Sequence, residues 1–180
     1  MKRNIWLGIV VLAFTLAAAS GARADGIFTA SLAGSNEVPP VASAATGFII
    51  VTVVGDFLSV DETFSGLTAP ASAAHIHCCA ALGINTPVAL PFLGFPAAVS
   101  GSYTMTFNLT TLPLGGEASL LAGLSAGDAY ANIHDANFPG GEIRGQLIQS
   151  TTSTTPEPGT MLLVGMGLVG LAGWKKRRAA

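Results

Sequence analysis

Short runs in which apolar and polar residues alternate one by one recur along the middle of this chain. In residues 102–109, tyrosine, methionine, phenylalanine and leucine occupy every second position, with threonine and asparagine between them. Alternation of this period gives a β-strand one apolar face and one polar face. Turn-forming residues such as Gly55-Asp56 and Pro139-Gly140-Gly141 separate the runs. The pattern predicts an all-β fold of short antiparallel strands, as a sandwich or barrel.

Individual elements follow from the same pattern. The predicted strands are residues 27–33, 46–54, 58–64, 102–109, 129–134 and 142–148. In the first of them Phe28, Ala30 and Leu32 are expected to point inward, and residues 46–54 are apolar on both faces, which is typical of a central strand. Residues 117–124 carry leucines at helical spacing, which predicts one short crossover helix.

The N-terminus has the organisation of a secretory signal peptide. A positive start, Met1-Lys2-Arg3-Asn4, precedes the apolar residues 5–19, and Ala22-Arg23-Ala24 follows. This order predicts a signal peptide over residues 1–24, cleaved after Ala24. An uncleaved N-terminal anchor is the alternative, but an apolar run of about 15 residues is shorter than the ~20 needed to span a bilayer.

The C-terminus contains three ordered parts after a Ser/Thr-rich linker at residues 150–155. The triplet Pro156-Glu157-Pro158 precedes an apolar, glycine-rich stretch over residues 160–174. That stretch predicts a transmembrane helix, and the positive-inside rule places the basic cluster after it in the cytoplasm. The basic cluster consists of Lys175, Lys176, Arg177 and Arg178. An ordinary single-pass anchor is the alternative interpretation.

Between these segments lies one predicted domain, residues 25–149, and it is strongly acidic. Arg144 is its single Lys or Arg residue, against nine carboxylates, so its formal charge is −8. Binding to nucleic acid depends on positive charge that neutralises phosphates. The composition therefore argues against a nucleic-acid partner.

All three histidines of the chain fall in two compact segments. If their segment is a strand, His75 and His77 point to the same face, because they are two positions apart. His134 and Glu142 are expected to face outward near the ends of the last hairpin. If the segments are neighbours, these four residues form a site of three nitrogens and one oxygen for copper or zinc. In the alternative interpretation the same side chains only hydrogen-bond turns.

The two cysteines of the chain, Cys78 and Cys79, are adjacent in sequence. A bridge between neighbours closes a very small ring, so it cannot staple distant parts of the fold. A vicinal disulfide that stiffens a loop, a free pair of thiols, or soft metal ligands beside His77 all remain open.

Several blocks of the domain resemble the CHRD domain, which is named after chordin and occurs in bacterial secreted proteins. The blocks include Asn36-Glu37-Val38-Pro39-Pro40 and Ala74-His75-Ile76-His77, and in full they span residues 28–41, 46–47, 74–77, 127–134 and 138–147. The resemblance implies an immunoglobulin-like β-sandwich. It implies no established catalytic activity.

The C-terminal segment, residues 156–180, resembles the PEP-CTERM sorting signal of exopolysaccharide-producing Gram-negative bacteria. The resemblance implies an inner-membrane precursor with its domain in the periplasm. An exosortase-type enzyme then cuts near the triplet, and the product goes to the outer envelope or the exterior. The cysteine pair after His77 also resembles a subgroup of CHRD domains that carry this tail.

Together these features predict an exported surface or extracellular-matrix protein that is not an enzyme and has exopolysaccharide as a candidate partner. No cofactor is required by this interpretation. The alternative is a periplasmic or extracellular protein that binds copper or zinc through the His75-Ile76-His77 segment. A copper-zinc dismutase is disfavoured because its two-metal site needs more than the three histidines present.

Overall fold

The computed structural model describes residues 25–150. The predicted signal peptide with its cleavage site at Ala24, linker residues 151–155, the triplet Pro156-Glu157-Pro158, the apolar segment 160–174 and the basic cluster lie outside the described residues, so they stay predictions. Within residues 25–150, no helix combines the length and the apolar character needed to cross a bilayer.

Nine strands and one α-helix follow one another along the described residues. The strands are β1 (Gly26–Ala33), β2 (Thr46–Val54), β3 (Phe57–Ser65), β4 (Ala71–Cys78), β5 (Val88–Pro91), β6 (Gly101–Asn108), β7 (Ala129–Asp135), β8 (Ile143–Gln146) and β9 (Ile148–Gln149). The helix α1 spans Gly116–Ala126, and 3-10 turns occupy Gly34–Asn36 and Leu109–Thr111. Each predicted strand and the predicted helix are present, although the last predicted strand is divided into β8 and β9.

The strands form an antiparallel sheet in the order β5-β4-β7-β8-β1-β2-β3-β6, and β9 pairs with β1. The sheet curls over on itself around an apolar core, which confirms the prediction of an all-β sandwich with one short helix. Burial of this apolar surface is the main stabilising contribution to such a fold. Fully buried core side chains include Leu32, Ile49, Leu58, Ile76, Ile133 and Ile143.

Alternation places the core side chains as the sequence predicts. On β1, Phe28 and Leu32 are 2% and 1% exposed, and β1 pairs with β2 without a register shift. β2 lies between β1 and β3, as expected for a central strand. Its second apolar face is nevertheless open, because Phe48 and Ile50 are 45% and 36% exposed.

The helix α1 packs on β4, β7 and β9. Leu120 and Leu124 are buried in the core, and Gly127 ends the helix with φ of 73°. A residue in this left-handed conformation commonly stops a helix because its N–H turns back onto the last carbonyls. Here the Gly127 N–H donates to the carbonyls of Gly123 and Leu124. The helix therefore ends at Ala126, two residues beyond the predicted C-terminal end at residue 124.

The face of β4, β7 and β8 opposite the apolar core is polar. Antiparallel register places His75 opposite Asn132, and Asn132 opposite Arg144 on the other side. We call this face the outer polar face; its members are His75, His77, Tyr130, Asn132, His134 and Arg144. Residue Asn85 links it to a covering loop, because it accepts a hydrogen bond from Arg144 and donates one to the Val38 carbonyl. Its side chains are therefore partly shielded from solvent.

Candidate functional site

The three histidines converge on the outer polar face and form what we call the histidine cluster. One ring nitrogen from each of His75, His77 and His134 lies within 4.8 Å of the other two. The shortest separation is 3.2 Å, between His75 Nδ1 and His134 Nε2. β4 and β7 are neighbours in the sheet, which is the condition that the sequence prediction required.

Backbone carbonyls orient two of the three rings. His77 Nδ1 lies 2.6 Å from the Thr86 oxygen, and His134 Nδ1 lies 3.0 Å from the Pro139 oxygen. A carbonyl oxygen can only accept, so these contacts place the proton on Nδ1 and leave a lone pair on Nε2. His77 Nε2 has no hydrogen-bond partner within residues 25–150. Metal-binding histidines commonly donate their second ring N–H in this way.

Burial keeps the histidine cluster uncharged. It lowers the pKa of His75 to about 4, and the neighbouring His134 and His77 lower this pKa further. Burial also lowers the pKa of His77 and of His134, although hydrogen bonds to Thr86 and Pro139 act in the opposite direction. At neutral pH the rings therefore present lone pairs, the form that binds a metal ion.

Glu142, the fourth predicted ligand, does not belong to the group of converging ligand atoms. Its carboxyl group accepts a 2.6 Å hydrogen bond from Ser43 Oγ and bonds at 3.1 Å from the Thr68 N–H. Strict alternation predicted an outward side chain, but β8 starts only at Ile143, and Gly141 has φ of 123°. That backbone conformation, which favours glycine, interrupts the alternation just before Glu142.

Glu142 instead pairs with Asp135 in the interior. Asp135 accepts bonds of 2.7 Å from Thr68 Oγ1, the Ala69 N–H and the Phe138 N–H. Burial alone would raise the pKa of Asp135, but these hydrogen bonds outweigh it and the net direction is down. Burial raises the pKa of Glu142, and the charge and hydrogen bonding of Asp135 raise it further. The two shifts favour the ionised form of Asp135 and the protonated form of Glu142.

The two cysteines are joined to each other by a disulfide. Their sulfurs lie 3.7 Å (Cys78) and 3.1 Å (Cys79) from the Ser119 oxygen on α1. A Cβ on Gly123 would overlap both sulfurs, so this residue of α1 leaves the space that the disulfide occupies. The sulfurs are not members of the group of converging ligand atoms.

Two residues beside the histidine cluster were not singled out from the sequence. Asn132 is 2% exposed, and its Oδ1 lies 3.1 Å from His134 Nε2. Glu37 is 5% exposed, and burial raises its pKa to about 7 against the opposing effects of Arg144, Val38 and Asn132. Alternation could have identified Asn132, because it lies two residues before His134 on the same strand. Glu37 lies in a loop, where no periodicity indicates a direction.

Arg144 holds the outer polar face together. Its guanidinium carbon lies 3.3 Å from the centre of the Tyr130 ring, and its nitrogens donate to Asn85 Oδ1 and the Ile84 oxygen. The His77 ring also stacks on Tyr130, with a centroid separation of 4.7 Å. A cavity of about 450 Å³ opens beside Arg144 and Glu37.

Comparison with known proteins identifies two segments. The CHRD domain model matches residues 28–147, and the PEP-CTERM protein-sorting motif matches residues 154–178. No curated protein and no solved structure matches the chain. Neither family is a known catalytic one, and the sorting motif indicates an exported protein with a membrane-anchored precursor, processed by an exosortase-type enzyme. Because the domain match extends over more than half of its residues, the chain belongs to the CHRD family.

Proposed function

We propose that this protein is a non-catalytic component of the cell surface or extracellular matrix, delivered there by exosortase processing. The sorting motif supports delivery, and an acidic domain with one arginine suits a soluble, hydrated location. Exopolysaccharide is the candidate partner in that location. The domain would then reside first in the periplasm and afterwards in the outer envelope or the exterior.

Replacement of Pro156, Glu157 and Pro158 by alanine tests delivery. Immunoblots of cell fractions should then show a longer precursor retained in the inner membrane, whereas the unchanged chain appears as a shorter product outside it. Alanine replacements at Thr151, Thr152 and Ser153 in the predicted linker provide the matched control and should leave processing unchanged. Normal maturation of the triplet variant would contradict the proposal.

We further propose that the histidine cluster binds a copper or zinc ion. The observation that carries this candidate is the convergence of three ring nitrogens within 4.8 Å, two of them on rings whose Nδ1 atoms face backbone carbonyls. Imidazole nitrogen suits both metals, and a protein that presents three neutral rings supplies most of a four-coordinate shell. The site would store, carry or be stabilised by metal without catalysis.

Metal analysis of the full chain, purified in detergent, tests this second proposal. The expected result is one equivalent of zinc or copper per chain after dialysis against a slight excess. His75→Ala and His134→Ala should each lose it, while Asn137→Ala, a nearby change away from the histidine cluster, should retain it. Absence of stoichiometric metal in the unchanged protein would overturn the metal site.

A further inference from the structure

Asn132 presents its side-chain oxygen to the histidine cluster. Its Oδ1 lies 3.1 Å from His134 Nε2, and that nitrogen lies 3.2 Å from His75 Nδ1. Four ligands at 2.0–2.1 Å around a tetrahedral ion are separated from one another by about 3.3 Å. The two separations observed here are close to that value, so these atoms are spaced as ligands of one ion would be.

One of the two contacts that His134 makes with oxygen atoms cannot be a hydrogen bond. A neutral imidazole carries a single N–H, yet His134 meets an oxygen acceptor at each nitrogen, Pro139 O at Nδ1 and Asn132 Oδ1 at Nε2. With the proton on Nδ1, the Nε2 lone pair faces the amide oxygen. Two acceptors in contact repel each other, and a cation bound to both removes the repulsion.

Glu37 accounts for the direction of the Asn132 amide. A Cβ on Gly141 would overlap both Glu37 Oε1 and Asn132 Nδ2, so these two atoms converge over the same glycine. The Asn132 amide therefore directs its nitrogen towards the carboxyl group of Glu37. The amide oxygen is thereby turned towards the histidines.

We infer that Asn132 Oδ1 is the fourth ligand of the metal site. The inference rests on the proposed metal binding by the histidine cluster. The resulting set of three imidazole nitrogens and one amide oxygen suits zinc(II) or copper(II) better than the softer copper(I). It retains the three-nitrogen, one-oxygen composition expected from the sequence, with Asn132 in place of Glu142.

Zinc affinity of the full chain, measured by competition with a chromogenic chelator, tests the inference. Asn132→Ala should weaken zinc binding by about 10-fold or more, within the range found when supporting groups of metal sites are removed. Asn132→Asp restores an oxygen in the same place and should bind zinc at least as tightly as the unchanged chain. Asn137→Ala, an asparagine in the turn after β7, should have no effect.

Cobalt(II) as a spectroscopic probe separates a ligand from a merely structural asparagine. Its visible absorption reports the atoms bound to the ion, so the spectrum should differ between the unchanged chain and Asn132→Asp, a variant that keeps the side-chain shape. An identical cobalt spectrum in the two proteins, or unchanged zinc affinity in Asn132→Ala, would overturn the role of Asn132 alone. Failure of the unchanged chain to bind zinc or cobalt would instead overturn the metal site itself.

Discussion

Two successive residues of β7, His134 and Asp135, belong to two different polar clusters on opposite faces of the strand. Asp135 enters the carboxylate pair with Glu142, where hydrogen bonds from Thr68, Ala69 and Phe138 satisfy its oxygens. His134 enters the histidine cluster, where His77 Nε2 has no partner within residues 25–150. A buried polar group normally finds its partners within the protein. The oxygens of Asp135 are thus satisfied by hydrogen bonds, whereas His77 Nε2 in the histidine cluster is not.

Burial acts on both clusters but leaves them in different charge states. It favours the neutral form of every member, lowering the pKa of His75 to about 4 and raising that of Glu142. Asp135 stays ionised because several donors point at it. The negative charge in the carboxylate pair is used to hold the Thr68 and Phe138 loops, so this pair serves stability. The neutral histidines instead face one another, with His75 Nδ1 3.2 Å from His134 Nε2.

The largest expected effect is on stability, from Asp135→Ala. This change leaves two partly buried backbone N–H groups, those of Ala69 and Phe138, without an acceptor and should lower the free energy of unfolding by about 3 kcal/mol. The adjacent change His134→Ala should lower it by less than about 1 kcal/mol, because His134 is only partly buried. Urea titrations of the metal-free proteins give both values. Equal losses would remove the distinction between the two clusters.

The stability that added zinc provides should depend on the histidines and not on Asp135. At a free zinc concentration about 100 times Kd, the unchanged chain should gain about 2.7 kcal/mol of stability. His75→Ala and His134→Ala should gain nothing measurable, while Asp135→Ala, where it folds, should keep the gain. Thermal unfolding with and without zinc measures this difference. A zinc response that survives in His75→Ala would show that zinc binds elsewhere.

The buried carboxyl group of Glu62 belongs to neither cluster, and its effect on stability should depend on pH. Glu62 is 2% exposed, neither oxygen has a hydrogen-bond partner among the described residues, and burial raises its pKa from 4.5 to about 8. A raised pKa means that the folded state binds the proton more tightly. Its contribution to stability is therefore complete below pH 4.5 and lost as the pH rises through about 8. Glu62→Gln should flatten the fall in unfolding free energy over this window; an unchanged slope would contradict it.

The smallest expected effect is from Glu142→Gln. Burial and the neighbouring Asp135 favour the protonated form of Glu142, so an uncharged amide of the same shape can replace it and donate to Asp135. The unfolding free energy should change by less than about 1 kcal/mol, and zinc affinity by less than about twofold. Calorimetric zinc titration of this variant measures the second quantity. A loss of zinc binding would restore Glu142 as a ligand.

The fold was largely predictable because alternation is a local property. β3 and β6 lie where the apolar and polar residues alternate, since one buried face fixes the register of each strand. β5, Val88–Pro91, escaped prediction because it is short, follows Pro87 and ends at Pro91, and the segment from Pro91 to Pro96 has the composition of a turn. The shape of the sheet, and therefore which strands become neighbours, depends on contacts between distant segments.

The site was predictable only in part, for the same reason. His75 and His77 share a face of β4, and their meeting with His134 needed only that β4 and β7 pair. Glu142 was misplaced relative to the histidines because Gly141 interrupts the strand pattern in front of it. Glu37 approaches Asn132 over Gly141 from a loop far earlier in the chain, and no local pattern indicates such a contact.

The central claim is that the histidine cluster, and not the carboxylate pair, is the metal site. Anomalous X-ray diffraction at the zinc absorption edge, from crystals of the protein grown with zinc, tests it most directly. We predict one strong anomalous peak within bonding distance of His75 Nδ1, His77 Nε2 and His134 Nε2. A peak at Asp135 and Glu142, or no peak on the outer polar face, would contradict the account.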